Sequence, residues 1–263
     1  MSTPLPILYQ DDALVVIAKP SGLLVHRTAL ARGETRFALQ LLRDQLGRHV
    51  YPVHRLDRPT SGVLVFALSS EIARTLGEAF AEQRVSKRYL AVVRGLGPEA
   101  ECLDYALREE DGRRPKAEMP AMEAATEVQR LDSVELPVRV DRYPSARYSL
   151  MEARPLTGRR HQIRRHLSRR GYPIIGDARH GKGNHNRFFS ENLDTHRLLL
   201  AAVEMNLAHP VTGDRLTVSA GLEDDMTQLF ERFGWGAHLP QHGHRFEKAD
   251  SQSSTTHAAI PTP

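Results

Sequence analysis

The sequence predicts an α+β fold, and three observations carry that prediction. Short apolar runs bounded by turn residues mix with segments of helical spacing, without the regular strand–helix–strand alternation of a parallel α/β protein. No uninterrupted apolar run exceeds six residues (Ala13–Ala18, Val63–Leu68 and Leu198–Val203), which is strand length and far short of the ~20 residues of a membrane-spanning helix. Of the 263 residues, 40% are apolar and 26% are charged, a balance that supports a buried core.

Ala13–Ala18 is expected as a short buried strand, followed by the turn Lys19-Pro20-Ser21-Gly22. Phe37–Leu46 carries apolar residues near helical spacing. Val63–Leu68 is a second buried strand, introduced by Ser61-Gly62. A helix is expected over about Glu71–Gln83, with Ile72, Leu76 and Phe80 on one face and Ser69 or Ser70 as its cap. Arg88–Val93 is a third strand, stopped by Gly95. Arg108–Glu118 is charged and poor in apolar residues, and is expected as a mobile loop. Ala124–Leu131 and Tyr148–Arg154 are further strands. Gly158–Leu167 is a short helix, with Gly171 at its end and Pro173 just beyond. Leu198–Ala208 and Leu216–Ala220 are late strands joined through the turn His209–Asp214, and Asp224–Phe233 is a last helix. From about His242 the chain holds almost no large apolar side chain and is expected as a disordered tail. No internal repeat is visible.

The formal net charge is +4, from 36 Lys and Arg against 32 Asp and Glu. Only five of the 36 are lysine; arginine is the better phosphate fork and base-stacking cation, although a GC-rich genome also produces this bias. Cys102 is the only cysteine, which excludes intramolecular disulfides and Cys-based zinc sites and fits a reducing compartment. The first basic residue is Lys19, so no secretory signal is expected. His161/His166 and His180/His185 are each five apart, not the i, i+4 spacing of a helical zinc site, and no metal is expected. Walker, G-x-G-x-x-G and G-x-S-x-G motifs are absent.

Three segments carry chemistry. Arg154–Arg170 (RPLTGRRHQIRRHLSRR) holds seven arginines, and no acidic residue occurs between Glu152 and Asp177. As a helix it would have a narrow apolar seam, Ile163 and Leu167, and a cationic circumference whose like-charge repulsion a polyanion would relieve; an exposed helix in an Arg-rich proteome is the plainer alternative. In HRLDRPTSG (His54–Gly62), Asp57 stands between two arginines that favour its ionised form, fit for a nucleophile or base. A carboxylate that accepts turn hydrogen bonds before Pro59 and pairs with an arginine reads equally well there. Lys87-Arg88-Tyr89 opens a strand with an aromatic among cations, which suits base stacking or, more plainly, a place in the core.

HRLDRPTSG resembles the active-site signature of the RluA-type pseudouridine synthases. AKPSGLLVH (Ala18–His26), KRYLAVVRG (Lys87–Gly95), TGRRHQIRRHL (Thr157–Leu167), PIIGDARHG (Pro173–Gly181) and HPVTG (His209–Gly213) are similar to further motifs of that family, in the family order, across about Ile7 to Trp235. The short N-terminus, the extended HRLDRPTSGVL and the FGW segment resemble most the TruC subgroup, tRNA pseudouridine-65 synthases. Two departures are visible: Ala201 precedes Ala202 where the family usually carries histidine, and His180 stands where tyrosine is common.

The resemblance implies a mixed domain on a long bent, mostly antiparallel sheet with flanking helices and a central cleft. It spans residues 1–240 as one catalytic domain without an N-terminal S4 domain, with 241–263 as the tail. It implies uridine isomerisation, without a cofactor, in RNA, most of all uridine 65 of tRNA. Ribosomal RNA is the rival substrate, and a non-catalytic RNA-binding module on the same scaffold the rival function. Asp57 would be the catalytic aspartate. Tyr89 would stack on the uracil and take part in proton removal from C5. Arg164 would ion-pair with Asp57, and Arg55 would fill the gap left by the flipped nucleotide. Ile163, Arg159, Arg160, Arg165, Arg169 and Arg170 complete the expected substrate contacts. A cytoplasmic monomer with RNA as its partner is expected, with no membrane and no protein partner.

Overall fold

The computed structural model describes residues 4–27, 33–109 and 118–248. Its N-terminal half comprises β1 (Ile7–Gln10), β2 (Leu14–Lys19), α1 (Ala38–Leu46), β3 (Tyr51–Pro52), β4 (Ser61–Ala67) and α2 (Ser70–Ala81). β5 (Ser86–Arg94), β6 (Ala100–Asp104), β7 (Leu107–Arg108), β8 (Ala121–Met122), β9 (Ala125–Leu136) and β10 (Ala146–Pro155) follow. Then come α3 (Gln162–Arg169), α4 (Gly183–Asn192), β11 (Leu200–Ala208), β12 (Arg215–Ser219), α5 (Asp224–Arg232) and β13 (Gly243–Glu247).

Eleven strands form one large sheet in the order β1-β2-β4-β11-β5-β10-β9-β6, with β12 on β11, β13 on β12 and β3 on β4, while β7 and β8 pair in a small sheet of their own. Every ladder is antiparallel except β4–β11, which is parallel and only two residue pairs long, Ala201↔Ser61 and Ala202↔Gly62. The expected α+β class with a mostly antiparallel sheet is therefore what the chain forms.

β4 explains why its sequence is uninterrupted by polar residues. Val63 and Val65 join the core under Leu76 of α2, while Leu64 and Phe66 join the core with Leu42 of α1. Both faces are covered, so the period-2 alternation has no polar phase. Ser69 caps α2, its Oγ accepting from the Ile72 N–H at 3.2 Å. Beyond the β4–β11 seam, Leu90, Val92, Tyr148 and Leu150 pack on one face with Phe189, Phe230 and Trp235. Ala91, Val93 and Ala153 pack on the other with Ile163 and Leu167 of α3.

Three expectations are corrected. α3 begins at Gln162, not at Gly158, because His161 sits at φ 54°, in the left-handed region that a helix interior does not tolerate. Its residues Gln162–Leu167 are all buried, so the helix is not a cationic surface. Residues 243–247 are not disordered but form edge strand β13, because the backbone pairs with β12 and the rings of His244 and Phe246 lie against Tyr9 at 5.0 and 5.6 Å. Of the expected loop Arg108–Glu118, residues 110–117 lie outside the described residues.

Candidate active site

Two segments far apart in sequence close a cleft of about 460 Å³ on the face shared by α3 and the start of β5. One wall is the loop before β4. Leu56 is buried in the core, and His54 stacks on Phe80 at 4.7 Å and accepts the Val65 N–H at 3.0 Å. Arg55 and Asp57 line the cleft together with His54 and Leu56. Burial, reinforced by Lys87, pushes the His54 imidazole down to about 3, as its acceptor role requires. The loop ends at Gly62, at φ 112°, where a Cβ would run into the Ala202 carbonyl; only glycine lets β11 approach β4 here.

The same loop is stitched to the turn after β2. Lys19, 1% exposed, donates Nζ to the carbonyls of Pro20 and Leu23 at 2.8 Å and of Arg58 at 3.2 Å. Ser21 Oγ donates to the Pro59 carbonyl at 2.9 Å. Arg197 reaches from before β11 to donate Nη2 to Ser61 Oγ at 2.6 Å and pairs with Glu223, which also accepts the Ser21 N–H.

The opposite wall is the start of α3 and the turn before it. Gln162 locks that turn: its Oε1 accepts from Thr157 Oγ1 at 2.7 Å and from Arg159 N at 2.9 Å, and its Nε2 donates to the Ala125 carbonyl and Thr126 Oγ1 at 2.9 Å. Arg164 then crosses the cleft floor. Its Nη1 donates to Asp57 Oδ2 at 3.0 Å. Its Nε and Nη2 donate to the two oxygens of Asp177, at 2.7 and 2.9 Å. Burial opposes ionisation of Asp177, but Arg164 and the backbone N–H groups of His180 and Arg179 outweigh it and hold the carboxyl below the usual carboxylate range.

Tyr89 lies on β5 between these walls and packs against both the α1-side and α3-side cores. Burial, and then the nearby Asp57 carboxylate, raise its hydroxyl above the ordinary tyrosine range, so it stays a neutral phenol. Lys87, two residues earlier on the same strand, also lines the cleft and has no ion-pair partner among the described residues; burial lowers its ammonium. Arg88 points the other way, to Glu152 at 3.3 Å and Glu204 at 3.9 Å.

Of the residues singled out from the sequence, Asp57, Tyr89, Arg164, Arg55, Ile163, Arg159 and Arg160 line this one cleft. Arg165, Arg169 and Arg170 do not. Arg165 is buried within α3, Arg169 lies over the Tyr105 ring at 4.6 Å, and Arg170 is engaged by Glu101 at 2.9 Å. Sequence reasoning gave no role to Asp177, although it is the first acidic residue after the arginine-rich run, nor to His161 and His180, whose spacing was weighed only for metal. The His161 and His180 rings meet, Nδ1 to Nε2, at 3.0 Å, and His161 Nε2 lies 3.9 Å from Asp57 Oδ2.

Residues 13–169 match the family described as RNA pseudouridylate synthase. The chain is 48% identical to tRNA pseudouridine synthase C of Vibrio parahaemolyticus over 239 residues, 89% of this chain and 97% of the other. It is 45% identical to tRNA pseudouridine synthase C of Salmonella typhi over 260 residues, 96% and 99% of the two chains. Among solved structures, human RNA pseudouridylate synthase domain containing 4 superposes with TM-score 0.65 at 27% identity, covering 90% of this chain and 95% of the other. Human RNA pseudouridylate synthase domain containing 1 shares the fold, with TM-score 0.66 at 22% identity over 96% and 95%.

Proposed function

The chain belongs to the family of RNA pseudouridylate synthases, and from that premise we propose that it isomerises a uridine of tRNA, at position 65, to pseudouridine in this cleft. The observation that carries the reading is the 3.0 Å contact of Arg164 with Asp57 beside Tyr89. The tRNA substrate is favoured by the curated relatives, which are named as tRNA enzymes.

The isomerisation breaks the C1′–N1 bond, turns the uracil and forms a C1′–C5 bond. N1 gains a proton and C5 loses one, so atoms and charge balance without a redox step. Asp57 meets the ribose as the base departs, by attack or by taking a ribose proton. Arg164 aims the carboxylate through a charge-assisted contact, stronger than a neutral one. Tyr89, as a neutral phenol, is suited to stack on the uracil and not to serve as a phenolate base. The target must leave its stack, at a cost of a few kcal/mol. Arg55 filling the gap, and phosphate contacts from Arg159, Arg160 and Lys87, offset that cost. Arg169 and Arg170 would add outer contacts only. The tRNA reading also accords with an expected cytoplasmic location.

The test is tRNA carrying tritium at uridine C5. Tritium release by the wild type that vanishes in Asp57→Asn, with tRNA binding retained, supports the reading. Equal release by both proteins, or none by either, overturns it. Release from ribosomal RNA and not from tRNA would overturn the substrate and keep the reaction.

A further inference from the structure

Arg164 Nη1 and His161 Nε2 both lie against the same carboxylate oxygen of Asp57, Oδ2, at 3.0 and 3.9 Å. Oδ1 has no hydrogen-bond or ion-pair partner among the described residues. We propose that His161, fixed in one tautomer by His180, is a positioning residue that with Arg164 engages Oδ2 of Asp57 and leaves Oδ1 as the oxygen presented to the ribose. The inference rests on the reading of the cleft as a pseudouridylate synthase site.

The tautomer follows from the two contacts. A neutral imidazole carries one N–H. If His161 donated Nδ1–H to His180, its Nε2 lone pair would face a carboxylate oxygen, lone pair against negative charge. If His161 instead accepts Nε2–H from His180, its own proton sits on Nε2 and its N–H dipole points at Asp57. Electrostatics select the second arrangement. At 3.9 Å the contact is a dipole–charge attraction, longer than a hydrogen bond.

The charged and titratable groups around His161 are Asp57, Arg164, Arg160 and His180. Burial, then Arg164, Arg160 and His180, pull its imidazole down to about 4 against Asp57, so the ring is neutral at working pH. Its backbone supports a dedicated placement: φ 54° is uncommon for a non-glycine residue, and it turns the ring from the helix start into the cleft. His180 is itself placed by Asp177, whose Oδ1 accepts the His180 N–H at 2.9 Å, and by Ser168 Oγ, which donates to the His180 carbonyl at 2.7 Å. One carboxylate, Asp177, thus orients Arg164 directly and His161 by way of His180.

The experiment compares wild type, His180→Leu, His180→Gln and His161→Gln by single-turnover tritium release from C5-labelled tRNA, with tRNA affinity and thermal melting measured alongside. His180→Leu removes the donor and is expected to lower the single-turnover rate about ten- to a hundredfold, with KM and tRNA affinity within about threefold of wild type. His180→Gln and His161→Gln retain an N–H at the same reach and are expected to recover most of that loss. A His180→Leu rate equal to wild type, or a loss confined to KM, overturns the inference. So does a rate loss that Gln does not recover while melting is unchanged. Failure of the wild type itself to release tritium would instead refute the reaction assigned to the cleft.

Discussion

Asp177 grips Arg164 through both Nε and Nη2, at 2.7 and 2.9 Å, and so turns the remaining Nη1 toward Asp57. The guanidinium is shared between two carboxylates, one almost sealed at 1% exposure and one open to the cleft at 18%. The buried partner fixes the geometry and the open partner uses it.

Arg164→Lys should therefore fail although charge is kept. An ammonium is a point donor and cannot hold Asp177 by a fork while reaching Asp57. A fall of about a hundredfold or more in single-turnover rate is expected, with tRNA affinity little changed. Asp177→Asn should also cost stability, about 3 kcal/mol, since it leaves a buried guanidinium short of a counter-charge. Urea denaturation measures this, and an unchanged midpoint would contradict the assignment.

Lys87→Met should weaken tRNA binding and reduce the slope of log affinity against log salt by about one, because an ammonium in the cleft, without an ion-pair partner among the described residues, is replaced by a neutral side chain of similar length. Arg170→Gln should change the slope less, since Glu101 already engages that guanidinium outside the cleft. Filter binding across a salt series separates the two. A larger effect at Arg170 would move the RNA path to the outer surface.

Stability should fall with acid before the carboxylates titrate. His54 accepts the Val65 N–H and His185 accepts from Arg94 Nε at 3.0 Å, so each must be neutral in the folded chain. Burial depresses them to about 3 and about 4. Because the folded values lie below the unfolded ~6.5, the unfolded chain binds more protons between them. The stability they contribute is present above about pH 6.5 and is lost as the pH falls toward 4. For His54 the loss at pH 5 is about 2 kcal/mol. Thermal melts of wild type and His54→Gln from pH 7 to 5 should converge toward the acid end, and parallel curves would contradict this.

Gly62→Ala should be severely destabilising, by about 3 kcal/mol or more, because the new methyl meets the Ala202 carbonyl and the φ of 112° strains any L side chain. Gly22→Ala provides a contrast, with a positive φ but open space around it. A similar melting loss in both would show that the seam between β4 and β11 tolerates widening.

Much of the fold was legible because it rests on local signals. The apolar runs at Ala13, Val63 and Leu198 became β2, β4 and β11, and Ser69 became a cap. α4 was not legible, since GNHNRFFSEN has no apolar stripe and buries chiefly His185 and Phe189. β13 was missed for the same reason: its five residues are exposed and held by backbone pairing. The motif residues around Asp57, Tyr89 and Arg164 were recognisable in the chain, and they converge. The arginine run misled because periodicity reports which residues are cationic, not where their counter-charges lie. Asp57 and Asp177, from two other segments, turn part of that run into a buried ionic core.

The two-pair parallel seam has a consequence for synthesis. Asp57 is paired to a residue 107 positions later, and Ser61 to Ala201 later still. At a ribosomal rate of roughly 5–20 residues per second, the acid emerges on the order of ten seconds before its brace exists. A nascent or truncated chain therefore carries the Asp57 carboxylate without its guanidinium partner, and the pair forms only after the chain through α3 is made, with β11 docking between the two halves later still.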